Sequence, residues 1–83
     1  MIRILFSLHA KLQLIERKIS EREVLETIRS PVSIVRQPNG RFQALKTKER
    51  NGKDYLLVVI YEERQSIREV ITVFYTSKIK KYL

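Results

Sequence analysis

The sequence predicts an α+β domain in which two N-terminal helices pack on one face of a four-stranded antiparallel meander. Three observations carry that expectation. Tyr55 to Tyr61 is an unbroken apolar and aromatic run, YLLVVIY, too short for the ~20 residues a bilayer needs and too apolar for a strand with one wet face. Ser20 and Glu23 stand at the spacing of a helix-capping box. Two Asn-Gly pairs, Asn39-Gly40 and Asn51-Gly52, fall where hairpins need their turns.

Residues 2–6 (IRILF) suit either a short strand or the lead-in to a helix. From Ser7, a plausible N-cap, Leu8, Leu12, Ile15 and Ile19 fall at i, i+4, i+7 and i+11, one stripe expected to face the core. His9, Gln13, Glu16 and Arg17 lie off that stripe or on its border. Ser20 as N-cap and Glu23 at N3, with Ile19 and Val24 as a hydrophobic staple, start a second helix over Glu21–Arg29. Val24, Leu25 and Ile28 form its narrow apolar face, and Ser30-Pro31 stops it.

Beyond Pro31 the pattern turns extended. Residues 32–36 make a first sheet strand, and Pro38-Asn39-Gly40 supplies the turn. Residues 41–49 form the next strand, where Leu45 breaks the alternation and implies a bulge or cover on both faces. The Asn51-Gly52 turn leads into the central run. Residues 62–66 turn the chain again, and residues 67–75 alternate Val70, Thr72 and Phe74 against Ile71, Val73 and Tyr75. Residues 78–83 make either a short helix capped by Thr76-Ser77 or a basic tail.

A chain of 83 residues makes one domain with a limited core. With no Cys and a single His, thiolate catalysis, disulfides and Cys- or His-rich metal sites are excluded, and no cofactor is expected. The first residues lack a signal peptide's apolar stretch, so a cytoplasmic location, with no membrane partner, is expected. The net charge of +8 favours a polyanionic partner: RNA, DNA or an acidic protein. Since one face of the central run has no helix to cover it, a homodimer interface, a bound protein or a small second core must do so.

Arg36, Arg41, Lys46, Lys48, Arg50 and Lys53 are crowded into residues 36–53, and Lys78, Lys80 and Lys81 follow beside Tyr75 and Tyr82. Cations interleaved with aromatics on a sheet suit a phosphate backbone and a stacked base. The same lysines would equally solubilise turns and protect a sheet edge. No glycine loop or carboxylate pair stands out. Metal-independent RNA transesterification needs a base at the 2′-hydroxyl and a cation for the phosphorane. His9 and Tyr75 are the candidate bases and Arg68 the cation, with Arg17, Arg41, Lys46, Lys48, Lys78 and Lys81 as nucleic-acid contacts. A histidine near a helix start is also commonly an ordinary half-buried side chain.

His9-Ala10, Arg17, Ile19-Ser20-Glu21 and Val24, followed by residues 70–74 (VITVF) and Ser77, resemble a small family of uncharacterised domains. In that family a helical HAxxRMxxRGISxxxV segment, summarised as HAxxRxxxR, precedes a meander ending in ITVFxxS. The family is similar in layout to the RelE/ParE/BrnT toxin-like superfamily. That resemblance implies two helices on an antiparallel sheet. It also implies ribonuclease action on mRNA, often at the ribosome, neutralised by an antitoxin that covers the basic surface. ParE-like members instead act on DNA gyrase, so the scaffold does not imply one function. Here Gln13 stands where the first Arg is usual, and Lys18 where Gly is usual, which predicts a helix junction without a left-handed residue. The expectation is therefore a toxin-like mRNA ribonuclease, with a non-catalytic nucleic-acid- or protein-binding module as the alternative.

Overall fold

The sheet is built outward from the central run. The structure, a computed structural model, describes residues 2–83. Its elements are β1 (Arg3–Phe6), α1 (Leu8–Arg17), α2 (Glu21–Arg29), β2 (Ser33–Arg36), β3 (Phe42–Arg50), β4 (Lys53–Arg64), β5 (Ile67–Thr76) and α3 (Ile79–Tyr82). The strands order β1-β5-β4-β3-β2, which puts the YLLVVIY run in the middle. Leu56, Leu57, Val58 and Val59 are completely buried, and Tyr61 is 2% exposed. A strand this apolar is covered on both faces, as expected.

The meander of four antiparallel strands is present, but the sheet has a fifth. Residues 3–6 pair parallel to β5, with Arg3 opposite Ile67 and Phe6 opposite Val70. The sheet is therefore mixed, and the four-stranded expectation is corrected. A parallel pairing between segments over 60 residues apart leaves no local turn signal to read.

The turns follow the sequence closely. Asn51 and Gly52 both have positive φ, 53° and 77°, the two-residue geometry that matches strand twist and closes Arg50 onto Lys53. The next turn is shorter than expected. Residues 62–64 continue β4, and Gln65-Ser66 alone reverses the chain, with Gln65 at φ 52°. In β5 the register slips by one at Ile71, so that Ile60 pairs with Thr72 and Tyr61 with Val70. This bulge overturns the simple alternation: Val70, Val73 and Tyr75 all join the core under the helices, while Phe74 faces the other side.

Ser7 caps α1 by accepting from the Ala10 amide at 3.0 Å, and Ser20 caps α2 by accepting from Glu23 N at 3.1 Å. The staple residues Ile19 and Val24 are buried. The α2 boundaries fall where Ser20 and Pro31 place them, although Thr27 replaces Leu25 among its buried residues; the Thr27 hydroxyl satisfies itself on the Glu23 carbonyl at 2.8 Å.

Helix α1 is rotated relative to expectation. Its buried residues are Ala10, Gln13 and Leu14, whereas Leu8, Leu12 and Ile15 are 75%, 49% and 76% exposed. The cause lies in β1, which ends at Phe6 and leaves the outer edge of β5 uncovered beyond it. Gln13 Oε1 accepts from Val73 N at 2.8 Å, and Arg17 Nη1 donates to Val73 O at 2.7 Å. An unpaired buried backbone amide costs about 1–3 kcal/mol, so polar side chains turn inward here and aliphatic ones turn out.

The junction between the helices contradicts a second expectation. Lys18 adopts φ 54°, ψ 47°, and its amide reaches back to Ile15 and Leu14 carbonyls. A left-handed residue is required, and a lysine fills it. On the far face of the sheet, Leu45, Leu56 and Val58 form a second core closed by Ile60, Phe74 and the α3 residues Ile79 and Tyr82. That small core covers the face for which a homodimer had been one of the candidates. Residues 79–82 are helical, although the Lys78 N-cap has no side-chain cap and Thr76 Oγ1 instead accepts from Lys78 N at 3.1 Å.

Candidate nucleic-acid interface

Four cations at the turn end of the β3–β4 hairpin share one face. In the β3–β4 register Ala44 lies opposite Val59, Lys46 opposite Leu57, Lys48 opposite Tyr55 and Arg50 opposite Lys53. Strand alternation thus puts Lys46, Lys48, Arg50 and Lys53 on the side of Ala44 and Val59, the helix-bearing side. The cations therefore share the face that the helices cover in part. The far side is occupied by the second core.

At the β3–β4 turn end of that face, Arg50 lies over the Tyr75 ring, 4.6 Å from its centroid. Tyr55 meets Tyr75 edge to face at 6.3 Å. Together with Asn51 they line a cleft of about 210 Å³. Behind the cleft Tyr75 donates its hydroxyl proton to Glu23 Oε2 at 2.6 Å. Burial first, and then this bond, raise the Tyr75 hydroxyl from its ordinary 10.0 to about 12, so it remains a proton donor at neutral pH. Glu23 therefore does not reach back to its own helix terminus: Ser20 makes its half of the capping box, while the carboxylate is diverted to β5.

The structure holds Arg68 and Tyr75 apart on β5, and His9 is exposed in the first turn of α1. Arg68 lies seven residues from Tyr75 on β5, roughly 20 Å away at strand rise. Its guanidinium is occupied by Glu63 at 2.7 Å and by the Tyr61 ring at 5.5 Å. These positions give the three no common site.

Several cations expected from sequence to contact phosphate also have partners within the fold. Arg17 holds Val73, Arg41 pairs with Glu62 at 2.9 Å, and Lys46 donates to the Ser30 carbonyl at 3.1 Å, closing the C-terminus of α2. Lys48 meets Glu26 at 3.6 Å but stands directly opposite Tyr55, beside the cleft. A surface pair of this kind is worth about 0–1 kcal/mol and yields readily to a phosphate. Lys78 and Lys81 are exposed just beyond β5, at the start of α3 and within it, with Lys81 5.9 Å from the Tyr82 centroid.

A second row of cations and aromatics crosses the sheet at its other end. Phe42 and Tyr61 stack at 5.5 Å, with Arg36 5.7 Å from Phe42 and Arg68 over Tyr61. Tyr61 is buried and Phe42 half-buried, and both pack against the core under the helices. Sequence reasoning missed Glu23, Tyr55 and Arg50 as site residues. The parity of Lys48 and Arg50 with Ala44 was available to find Arg50; nothing local joined Glu23 to Tyr75. Among the described residues no cluster of His, Cys, Asp or Glu suits a metal ion, and no helix is long and apolar enough to cross a membrane.

These features define a small basic α+β domain with an arginine-capped tyrosine cleft on its helix-bearing face. The chain belongs to the family described as a domain of unknown function, DUF4258, whose model matches residues 6–75, from the end of β1 to Tyr75 itself. No curated protein and no solved structure matches it.

Proposed function

We propose that this domain binds single-stranded RNA at the Arg50–Tyr55–Tyr75 cleft. The observation that carries the reading is the Arg50 guanidinium stacked on Tyr75 at the mouth of the cleft, with Lys48 and Lys53 beside it. Stacked aromatic and guanidinium planes accept a base of any sequence, and the lysines neutralise phosphate. The net charge of +8 supports the same partner class, as does the resemblance to toxin-like proteins that act on mRNA.

Fluorescence anisotropy with a short unstructured oligoribonucleotide tests this. Arg50→Ala should weaken binding about tenfold and flatten the log–log salt slope by about 0.7. Unchanged affinity and slope in that variant would remove the cleft from RNA binding, and a salt-independent wild type would favour a protein partner.

A second reading, RNA cleavage beside the same cleft, is favoured by the carboxylate of Glu23 held behind it by Tyr75 at 2.6 Å. Glu23 would take the proton of the 2′-hydroxyl as O2′ bonds phosphorus. The P–O5′ bond breaks, Arg50 neutralises the phosphorane, and water protonates the departing 5′-oxygen. The products are a 2′,3′-cyclic phosphate and a 5′-hydroxyl. Glu23→Gln should abolish these products while RNA binding persists; cleavage at the wild-type rate in that variant would end the reading.

A further inference from the structure

The outer face of α1 carries Leu8, Leu12 and Ile15 in one line, two of them about three-quarters exposed. Scattered exposed aliphatics are ordinary, but a stripe at helical spacing with nothing over it is the pattern of a helix that packs on something. Alongside it runs a groove of about 450 Å³ whose lining is Leu14, Ile15 and Ile19, with Lys11, Lys18 and Glu21 contributing the polar atoms. Both features follow from the inward turn of Gln13 and Arg17 onto Val73, which leaves the aliphatic stripe outside.

Two occupants suit an aliphatic stripe: a second copy of this chain or a different protein. A two-fold pairing of α1 with itself would place the axis at the middle of the Leu8–Ile15 stripe, where Lys11 sits, and bring two Lys11 ammonium groups together. It would also join two chains that each carry +8. Charge therefore argues against self-association and for an anionic partner.

We infer that the outer face of α1 and its groove dock an acidic amphipathic helix of another protein. Its aliphatic side chains lie along Leu8, Leu12 and Ile15, and its carboxylates meet Lys11 and Lys18. This mode of recognition uses anchors one to two turns apart on the incoming helix, matching the spacing of the stripe. The inference is independent of RNA binding, since the stripe lies on the side of α1 opposite the sheet.

The test uses the full chain and a synthetic helix-forming peptide with leucines at i, i+4 and i+7 flanked by glutamates. Two controls accompany it, a scrambled peptide of the same composition and a version with Lys for every Glu. Anisotropy should show saturable binding of the acidic amphipathic peptide alone. Ile15→Glu and Leu12→Glu should each weaken it at least about tenfold, while circular dichroism shows both variants folded. Lys11→Glu should weaken it too, and restore binding to the Lys-bearing peptide. No binding of the acidic peptide, or binding that the Ile15 and Leu12 variants leave unaltered, would overturn the inference. So would a concentration-dependent dimer in sedimentation that Ile15→Glu dissolves, because the second copy would then be the occupant.

Discussion

Gln13 and Val73 are held together by a 2.8 Å hydrogen bond that substitutes a side-chain amide for a missing strand. With Arg17 taking the Val73 carbonyl, α1 completes the backbone pairing of β5 where β1 stops. That substitution sets the rotation of α1, and the rotation decides which residues are buried and which remain outside.

Removing the amide should therefore cost more than its polarity suggests. Gln13→Leu leaves Val73 N unpaired in a buried position and should destabilise the domain by about 1–3 kcal/mol. Thermal unfolding followed by circular dichroism should register a fall of about 4–8 °C per kcal/mol. A midpoint equal to wild type would show that the bond contributes nothing.

Lys18 offers the opposite change. A non-glycine residue at φ 54° carries a left-handed penalty of about 1–2 kcal/mol, partly offset by the greater flexibility glycine gives the unfolded chain. Lys18→Gly should raise stability by about 0.5–1 kcal/mol, read as an upward shift of the denaturation midpoint in urea. A lower midpoint would contradict the strain argument.

Burial of Tyr75, and then its bond to Glu23, make stability pH-dependent in the alkaline range. The folded-state hydroxyl titrates near 12, above its ordinary 10.0, so the folded state favours the protonated form. The resulting stabilisation is complete below pH 10 and is lost as pH rises through about 12. The stability difference between wild type and Tyr75→Phe should accordingly shrink across that interval. Phenolate absorbance should show one fewer late-titrating tyrosine in the variant. A difference constant with pH would refute the assignment.

Tyr82 closes the second core with Ile79 over Leu45, Leu56 and Val58. Tyr82→Ala should destabilise the domain by about 1–3 kcal/mol, less than a fully buried aromatic would, and increase dye binding to exposed apolar surface. Wild-type stability in this variant would mean that α3 does not seal that face.

Much of the fold could be read from the chain because its signals are local. The caps at Ser7 and Ser20, the stop at Pro31, the Asn51-Gly52 turn and the apolar central run each depend on neighbours within a few residues. What escaped reading depends on distant partners. The aliphatic stripe of α1 was a correct helix signal assigned to the wrong side, because periodicity identifies a face without saying where the unpaired Val73 backbone lies. The parallel β1 pairing and the Ile71 bulge are likewise set across the sheet. Of the residues at the cleft, Tyr75 was a candidate from sequence, while Glu23 was read only as a capping residue. The charge cluster was noticed, and three of its members pair with α2, its C-terminus or Glu62.

The most direct test of the account is chemical-shift mapping of the ¹⁵N-labelled domain titrated with single-stranded RNA. The account predicts that the largest backbone shifts cluster at Lys48 to Tyr55 and around Tyr75, with Arg50→Ala removing them and Arg41→Ala leaving them in place. Shifts centred instead on His9, Arg68 or the lysines of α3, with the Arg50 and Tyr75 amides unmoved, would contradict it.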